Sequence, residues 1–551
     1  MTARAGLQAT FAYLSRTENE AAVSLLIPAL DSPHGAVRLG ALRSLLERRS
    51  LAGQREILSR LHLLDERWKA IIAEHRASMS HALRDAILDG SPQLCANGCR
   101  AALWFREYDL LPALINALED EGNPNASLAA ETVLALVDLF CSDFAEERQQ
   151  EKTDHPYRDW TLLRTRLTEC LERSVERFSR HKRREVLQAF LMLAGHDNPS
   201  LRQILLDPLD SRYLTVIDEL THSRHAEVLR LILDCLEDPN APSAMLALMA
   251  HRSDSQFVKL LLERVGDKPS PFVAHNLGRI GNVAWLHDPH TLINELDHAG
   301  QQSLVRLVMA SSMNRLESFK TIAHLIVKGQ AGARRAAVAA LAEFHGAEAN
   351  QLALKALSDD DEEVQASAIR QLRDRGIPGA ISILLDMVSS PSEKIRQAAC
   401  DSLDEFKFPR FLASFDMLDE DVRGTTGKLV RKIDPSSVPL LREEARSPSR
   451  RRRIRALQMA SAMQAVSEIS DQALQLLDDE DHLVRLEAAK ALGQCHTMEV
   501  YAALARAADD RSLTVREAAL TSLEQISKSS PAIALLSDAA QRAQTEEQPH
   551  A

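Results

Sequence analysis

The sequence predicts an all-α protein, an α-α superhelix of the solenoid type in which short helices pair and the pairs stack in a row. Leu and Ala are abundant, whereas only 20 glycines and 21 prolines occur in 551 residues, so helices are favoured and seldom interrupted. An apolar pattern also recurs in the second half of the chain. A chain of this length exceeds one ordinary compact core, but a repeat array grows by adding units.

The repeats are clearest between residues 333 and 523, where most nine-residue copies follow V-R-x-x-A-x-x-x-L. The first residues of successive copies lie 31, 31, 27, 32, 30 and 31 positions apart. The copies are ARRAAVAAL from Ala333, VQASAIRQL from Val364, IRQAACDSL from Ile395, VRGTTGKLV from Val422, IRALQMASA from Ile454, VRLEAAKAL from Val484 and VREAALTSL from Val515. Weaker copies begin at Phe272 and Val305, and an isolated one begins at Val37.

Each repeat is predicted to form two helices joined by an acidic turn. Positions 1, 5 and 9 of the pattern fall on one face of a helix, which we name helix B. A second amphipathic segment, helix A, precedes it, and the turn carboxylates suit the positive end of helix B. We therefore expect the first residues of the copies to be buried in successive layers, namely Val364, Ile395, Val422, Ile454, Val484 and Val515, and Leu492 to be buried with them.

Two segments, Leu477–Cys495 and Ala507–Ile526, resemble HEAT repeats, so the predicted fold is a HEAT-like, armadillo-type solenoid. The repeat length is similar to that of the bilin lyase subunits of phycobilisomes, and shorter than that of most HEAT repeats. The resemblance implies a ladder in which a turn aspartate bonds the arginine after the first valine. The residues that match the ladder are Asp479, Arg485, Asp510 and Arg516. Gln365 and Ser390 depart from it, so the ladder is expected to break there.

Four regions are predicted along the chain. Residues 1–141 form an N-terminal helical region with a first HEAT-like pair, and 142–158 form a polar loop or linker. Residues 159–527 form the HEAT-like solenoid, which is most regular over 330–527. Residues 528–551 supply a C-terminal cap and a frayed tail.

The bulk properties indicate a cytoplasmic protein. The net charge is −12, whereas a protein that coats nucleic acid usually carries a basic balance. Seven scattered cysteines suit a reducing compartment. The first residues lack a charged segment followed by an apolar run, and no run of about 18 apolar residues occurs, so neither a signal peptide nor a membrane span is predicted.

No catalytic, metal-binding or cofactor-binding residue is predicted. The segment Gly424–Val430, GTTGKLV, lacks the first glycine and the final hydroxyl residue of a phosphate loop. Cys95 and Cys99 could meet on a helix face, but no further ligand pair is spaced to complete a zinc site. The segment His287–His290, HDPH, is better explained by a helix cap than by a metal site. No His-Glu dipeptide occurs, which argues against deoxyhypusine hydroxylase, a HEAT-like enzyme that binds iron through such dipeptides.

Two basic segments need explanation. From residue 157 to 184 there are nine Lys or Arg against four Asp or Glu, and Arg180, Lys182, Arg183 and Arg184 form a candidate phosphate-binding patch. A solvated helix face explains this segment better. The run of five arginines at Arg450–Arg453 and Arg455 falls at a repeat turn, between the acidic turns Asp416–Asp421 and Asp478–Asp481. We therefore predict that these arginines form ion pairs with neighbouring repeats and with Glu443 and Glu444.

These observations favour a non-catalytic protein-binding scaffold or adaptor that uses the concave surface of the solenoid to bind another protein. The first alternative is an enzyme or enzyme subunit of the bilin-lyase type, for which no residue carries over as catalytic. The second is nucleic-acid binding through residues 157–184. No membrane partner is predicted.

Overall fold

A computed structural model describes residues 3–149, 159–286 and 293–529 of the chain. Helices account for 76% of the structure, and no β-strand occurs in the described ranges. This confirms the predicted all-α superhelix. No helix in the same ranges has the length and apolar character that crossing a membrane requires.

The chain forms two compact units, residues 1–321 and 322–551. The helices up to residue 310 are α1 Ala3–Arg16, α2 Ala21–Ala29, α3 Gly35–Arg48, α4 Leu51–Ser59, α5 Glu66–Glu74, α6 Ser80–Ile87, α7 Pro92–Phe105, α8 Leu111–Glu119, α9 Ala126–Gln149, α10 Trp160–Glu176, α11 Phe178–His181, α12 Arg184–Leu193, α13 Pro199–Leu206, α14 Tyr213–His222, α15 Ala226–Asp234, α16 Ser243–His251, α17 Ser255–Val265, α18 Pro271–Leu277 and α19 His298–Ala310. The helices that follow are α20 Arg315–Lys328, α21 Ala331–Ala340, α22 Ala347–Ala356, α23 Glu362–Ile369, α24 Ala380–Met387, α25 Glu393–Ser402, α26 Phe408–Ser414, α27 Glu420–Ile433, α28 Ser437–Ala445, α29 Arg450–Met463, α30 Ser470–Leu477, α31 His482–Leu492, α32 Met498–Ala507 and α33 Leu513–Ser529.

Short 3-10 segments join several of these helices. They are Leu61–Leu63, Arg76–Ser78, Tyr108–Leu110, Cys235–Glu237, Ala284–Leu286, Leu341–Glu343, Asp404–Phe406, Phe415–Met417 and Val466–Ile469.

The first unit contains a layer of successive B helices, α7, α9, α12, α15 and α17, each of which packs against the next. Helices α8 and α10 lie in the other layer, where they pair with α9 and α12. The α9–α12 contact joins chain segments on either side of residues 150–158, so the stack of B helices is continuous across that interval.

Helix α9 extends to Gln149, so residues 142–149, which were predicted to begin a polar loop, are helical. The prediction relied on the loss of apolar periodicity after residue 141. Periodicity reports burial, whereas Ala, Glu, Arg and Gln extend a helix that is already nucleated even when they face water. Residues 150–158 lie outside the described residues, as do residues 530–551 of the predicted cap and tail.

In the second unit, most of the valine and isoleucine positions predicted to be buried are buried. Val364, Val484 and Val515 are fully buried and Ile395 is 6% exposed, whereas Ile454 is half-buried. Val422 contradicts the prediction, because 46% of it is exposed. It lies in the first turn of α27, whose buried residues are Gly427, Val430 and Ile433, so the apolar face of this helix is rotated away from the repeat pattern.

The acidic turns cap the B helices as predicted. Asp361 Oδ1 accepts a hydrogen bond from the Glu363 backbone N–H at 2.9 Å, and Asp481 Oδ1 accepts one from Leu483 at 2.8 Å. These carboxylates satisfy amide groups that the first turn of a helix cannot satisfy itself.

Candidate functional site

An arginine ladder links the turns of the second unit. Arg485 donates bonds from Nε and Nη2 to the Asp510 carboxylate at 2.9 and 3.1 Å, and from Nη1 to its own turn, at Asp479 O, at 2.8 Å. Arg453 repeats this arrangement with Asp479 of the following turn. Each arginine therefore holds its own turn through a carbonyl and the next turn through a carboxylate.

This pairing differs from the expectation in one respect. Asp479 and Arg485 lie in the same repeat, but their side chains do not pair with each other, because the Asp479 carboxylate accepts from Arg453. Similarly, Arg516 Nη1 donates to the Asp510 carbonyl at 3.0 Å, while the Asp510 carboxylate accepts from Arg485. The turn carboxylate also caps its own turn, since Asp510 Oδ1 accepts from the Ser512 N–H at 2.7 Å. The arginine that pairs with each turn carboxylate therefore comes from the preceding repeat.

The ladder is interrupted where the sequence departs from the pattern. Arg334 pairs with Asp359 at 2.8 Å, but the next residue in register is Gln365, which donates only to its own turn, at Asp359 O. Ser390 occupies the following turn and offers no carboxylate. Its carbonyl instead accepts from Arg396 Nη1 at 2.8 Å. Among the described residues no guanidinium–carboxylate rung forms at this step, as predicted.

All five arginines of the run that starts α29 lie beside carboxylates of the predicted acidic segments. Asp481 and Asp479 in the following turn pair with Arg450 at 3.0 Å and Arg453 at 2.9 Å, respectively. Asp416 in the preceding repeat lies 3.1 Å from Arg451 and 3.8 Å from Arg455. Glu444 binds Arg452 through two bonds, of 2.8 and 2.7 Å. The basic run is therefore compensated inside the stack.

We expect the contribution of the Arg485–Asp510 ion pair to the free energy of unfolding to be lost at acid pH. The Arg485 guanidinium holds the pKa of Asp510 below its ordinary value, against the opposing effect of burial. A lowered pKa in the folded state gives stability that is present above the ordinary carboxyl pKa of about 4 and is lost as the pH falls through the folded-state pKa. Asp510→Asn should cost about 1 kcal/mol at neutral pH. The difference in unfolding free energy between wild type and variant should shrink between about pH 5 and pH 2. A difference that stayed constant over this range in denaturant titrations would contradict the assignment.

Replacing Arg450–Arg453 with Gln should loosen the segment 416–481 without changing nucleic-acid binding. Each exposed pair contributes only about 0 to 1 kcal/mol, so the expected result is faster amide exchange in this segment rather than global unfolding. Hydrogen exchange and gel-shift titration with single-stranded DNA measure the two effects. Loss of strong DNA binding with unchanged exchange would show that the arginines serve nucleic acid instead.

One residue of the candidate basic patch is paired with carboxylates. Arg184, the first residue of α12, pairs with Asp218 and lies 2.6 Å from Glu219, so two carboxylates compensate it. Arg180 is exposed at the end of α11, and Lys182 and Arg183 form the connection to α12, where Lys182 takes a left-handed φ of 52°. Arg184 is therefore compensated within the structure, whereas Arg180, Lys182 and Arg183 remain a predicted basic patch.

Two hollows of the first unit lie along α9, α12 and α15, and we call the two together the groove. One is a hollow of about 740 Å³ with an apolar floor formed by Leu134, Ala135, Leu191, Met192 and Val228. Its polar lining includes the carboxylates Glu131, Asp138 and Glu219 against the single arginine Arg184, so we call it the acidic half. His225 Nε2 lies 2.9 Å from Asp138 Oδ1, across the groove.

The other hollow of the groove has a volume of about 480 Å³, and we call it the arginine pocket. Arg148, Arg164, Arg230 and Arg264 line it, against the two carboxylates Glu227 and Asp234. Arg230 pairs with Glu227, and Arg264 lies 2.6 Å from Asp234. Arg148 and Arg164 form no ion pair within the described residues, so the pocket has two positive charges in excess.

Sequence reasoning missed the groove, because its helices lack the V-R-x-x-A pattern. A weaker signal was present in three segments that begin with Val-Leu, at Val133, Val186 and Val228. All three valines are buried, on α9, α12 and α15 respectively. Their steps of 53 and 42 residues, from 133 to 186 to 228, exceed the regular period and conceal the repeat.

Two of the remaining candidate sites lie within helices. Gly424–Val430 lies inside the helix α27, so it forms no phosphate loop. Cys95 and Cys99 are buried on α7, and Cys95 Sγ lies 3.4 Å from the Ile87 carbonyl oxygen. The hydrogen bond with Cys99, together with burial, raises the pKa of Cys95. His287–His290 lies outside the described residues.

Comparison with protein families finds HEAT repeats in the chain. Residues 320–404 and 470–548 match the family model described as HEAT repeats. Both ranges overlap the region predicted to be most regular, so the HEAT resemblance is confirmed there. No curated protein matches the chain.

Solved structures similar to the chain include an engineered protein with 14% identity and a TM-score of 0.18, over 92% of this chain and 98% of the other. Kap121p has 10% identity and a TM-score of 0.26, over 96% of this chain and 61% of that protein. Human deoxyhypusine hydroxylase in complex with glycerol has 16% identity and a TM-score of 0.17, over 50% and 97%. The fold assignment rests on the helices and on the family match.

Proposed function

We propose that the protein is a cytoplasmic, non-catalytic scaffold that binds another protein in the groove along α9, α12 and α15. The observation that carries this proposal is the combination of an apolar floor with a charged rim in a hollow of about 740 Å³. Protein interfaces commonly have a desolvated apolar centre and a polar edge, and repeat arrays commonly bind partners along one helical layer.

The charges of the groove favour a protein over nucleic acid. A groove that follows a phosphate backbone is expected to be basic along its length. Here one half carries three carboxylates and one arginine. The net charge of −12 adds to this unfavourable field.

Photo-crosslinking from the groove tests the proposal. Ala135 is half-buried in the groove floor on α9, whereas Thr165 is exposed on α10, outside the lining residues. A benzophenone amino acid at position 135 should capture a protein in cells of the source organism, and the same probe at position 165 should not. Ala135→Trp, which fills the floor, should abolish binding of the captured protein after its purification, and Thr165→Trp should not.

Equal capture from both positions, or binding that Ala135→Trp leaves unchanged, would contradict the groove as the binding site. The alternatives have their own readouts. A bilin-lyase type of function would appear as a pigment or pigment-bearing protein in the captured material. A nucleic-acid function would appear as oligonucleotide binding that is lost in Arg180→Glu.

A further inference from the structure

We propose that the arginine pocket binds the carboxylate side chains of an acidic segment, and that this segment belongs to the partner protein of the groove. This inference rests on the proposed function and deepens it, because it assigns a chemical class to the partner and an orientation to its charges.

Arg164 carries the first part of the argument. Its Nε and Nη2 donate to the Leu193 carbonyl at 3.1 and 2.8 Å, which fixes the guanidinium at the end of α12. The group is partly buried, yet within the described residues it has no carboxylate partner. Burial lowers the pKa of Arg164 below its ordinary value, and the charge of Arg230 acts in the same direction. A partly buried cation that forms no ion pair is costly, so an incoming anion would be stabilised there.

Arg148 supplies a second positive charge at the same place. Its guanidinium lies 5.8 Å from the centre of the Phe144 ring, and that of Arg164 lies 5.5 Å from the same ring. The ring therefore holds two cations close together, each in the range of a cation–π contact. Arg148 is exposed and forms no ion pair within the described residues.

The opposite charges of the two halves indicate how a partner segment would lie. From Glu131 to Arg148 there are 17 residues of α9, or about 25 Å at 1.5 Å per residue. An extended peptide rises about 3.3 Å per residue, so roughly eight residues span this distance. Its acidic end would occupy the arginine pocket and its basic end the acidic half, with apolar side chains above the floor formed by Leu134, Leu191 and Val228.

Carboxylates are favoured over phosphates of nucleic acid for two reasons. The excess in the pocket is only two positive charges, and two carboxylates of the acidic half, Glu131 and Asp138, lie on the same helix as Arg148. A polyanion would meet those carboxylates, whereas a segment with charge of both signs meets complementary groups at each end.

Fluorescence anisotropy with defined peptides tests the proposal on the full chain. The probe is an eight-residue peptide with two glutamates at one end, four apolar residues and two lysines, prepared in both residue orders. At least one order should bind, and its analogue with Gln in place of both Glu should bind at least tenfold more weakly. The affinity should also fall as salt is added.

Two variants locate the binding. Arg148→Glu should weaken the glutamate peptide at least tenfold, because it replaces an exposed cation of the pocket with an anion. Arg180→Glu makes the same charge change at an exposed arginine outside the groove and should leave the affinity unchanged. Circular dichroism spectra of both variants should match wild type, since neither arginine is buried.

Three results would overturn the proposal: absence of binding in both orders, equal binding of the Gln analogue, or loss of affinity in Arg180→Glu as in Arg148→Glu. A phosphoserine peptide that alone binds would also overturn it, as would single-stranded DNA that alone binds with Arg148 dependence. If the crosslinked partner binds the groove but the glutamate peptide does not, the arginine pocket assignment fails and the scaffold function stands. If neither binds, the proposed function fails as well.

Discussion

Leu492→Ala is expected to destabilise the C-terminal repeats by about 2 to 5 kcal/mol. Leu492 is the last residue of α31 and is fully buried in the apolar cluster that extends from Phe408 to Ile526. Truncation removes apolar contacts and leaves a cavity between packed helices. Denaturant titration followed by circular dichroism measures the loss in free energy of unfolding.

The loss of stability caused by Leu492→Ala should also be local, because each repeat contacts mainly its neighbours. Hydrogen exchange should accelerate within residues 470–529 and remain unchanged at 21–48. Leu483→Ala is the matched control on the same helix, since Leu483 is 37% exposed and should cost less than about 1 kcal/mol. Equal acceleration at both ends of the chain would contradict a stack of locally coupled repeats.

Gly427→Ala is expected to destabilise the second unit by about 2 to 3 kcal/mol, in the upper part of the range for overpacking. A Cβ atom on Gly427 would lie 2.7 Å from the carbonyl carbon and oxygen of Ala462 and 2.9 Å from the Met463 nitrogen. These are backbone atoms of α29, so no side-chain rotation relieves the contact, and the helices α27 and α29 must separate.

Gly424→Ala provides the control on the same helix. A Cβ atom there meets nothing within 4 Å, so alanine should stabilise the helix by about 0.5 to 1 kcal/mol. The two substitutions therefore have opposite expected signs. Destabilisation by both, to a similar degree in thermal unfolding, would show that helix propensity and close approach do not distinguish these glycines.

The sequence was sufficient to predict the stack of the second unit because local and long-range signals agree there. The period fixes which helices are neighbours, and the turn residues fix which charges meet. The surroundings of the arginine run could be predicted for this reason, since Asp416 and Asp481 occupy equivalent turns on either side of Arg450–Arg453.

Details that depend on helix rotation or on competing bonds could not be predicted. Val422 follows the pattern by position, but the close approach at Gly427 determines which face of α27 is buried. The partner of Arg485 depended on a competition between two turn aspartates. Asp479 binds Arg453, which leaves Asp510 as the partner of Arg485. Spacing along the chain does not show which of the two aspartates is taken.

The groove could not be predicted because it depends on contacts between distant segments with unequal steps. Arg148, Arg164 and Arg230 lie on three helices, and nothing in the spacing of these residues indicates that they meet. The basic segment 157–184 lies in this part of the chain. Of its predicted patch, only Arg184 lines the groove, and Arg184 lies in the acidic half.

The interrupted ladder has a mechanical consequence. Between Arg334 and Asp359, and again from Arg453 through Asp510, partly buried ion pairs link successive turns. At the step from Gln365 to Ser390 the described turns lack a rung, and an exposed pair, Lys394 with Glu363, crosses there instead. The next step also lacks one, because Arg396 donates only to the carbonyls of Ser390 and Pro391 in its own turn. Under tension, the second unit should therefore behave as stiff segments joined by a compliant one. In a single-molecule pulling experiment the first extension should occur between residues 365 and 416, and Gln365→Arg with Ser390→Asp should shift it to the step after Arg396.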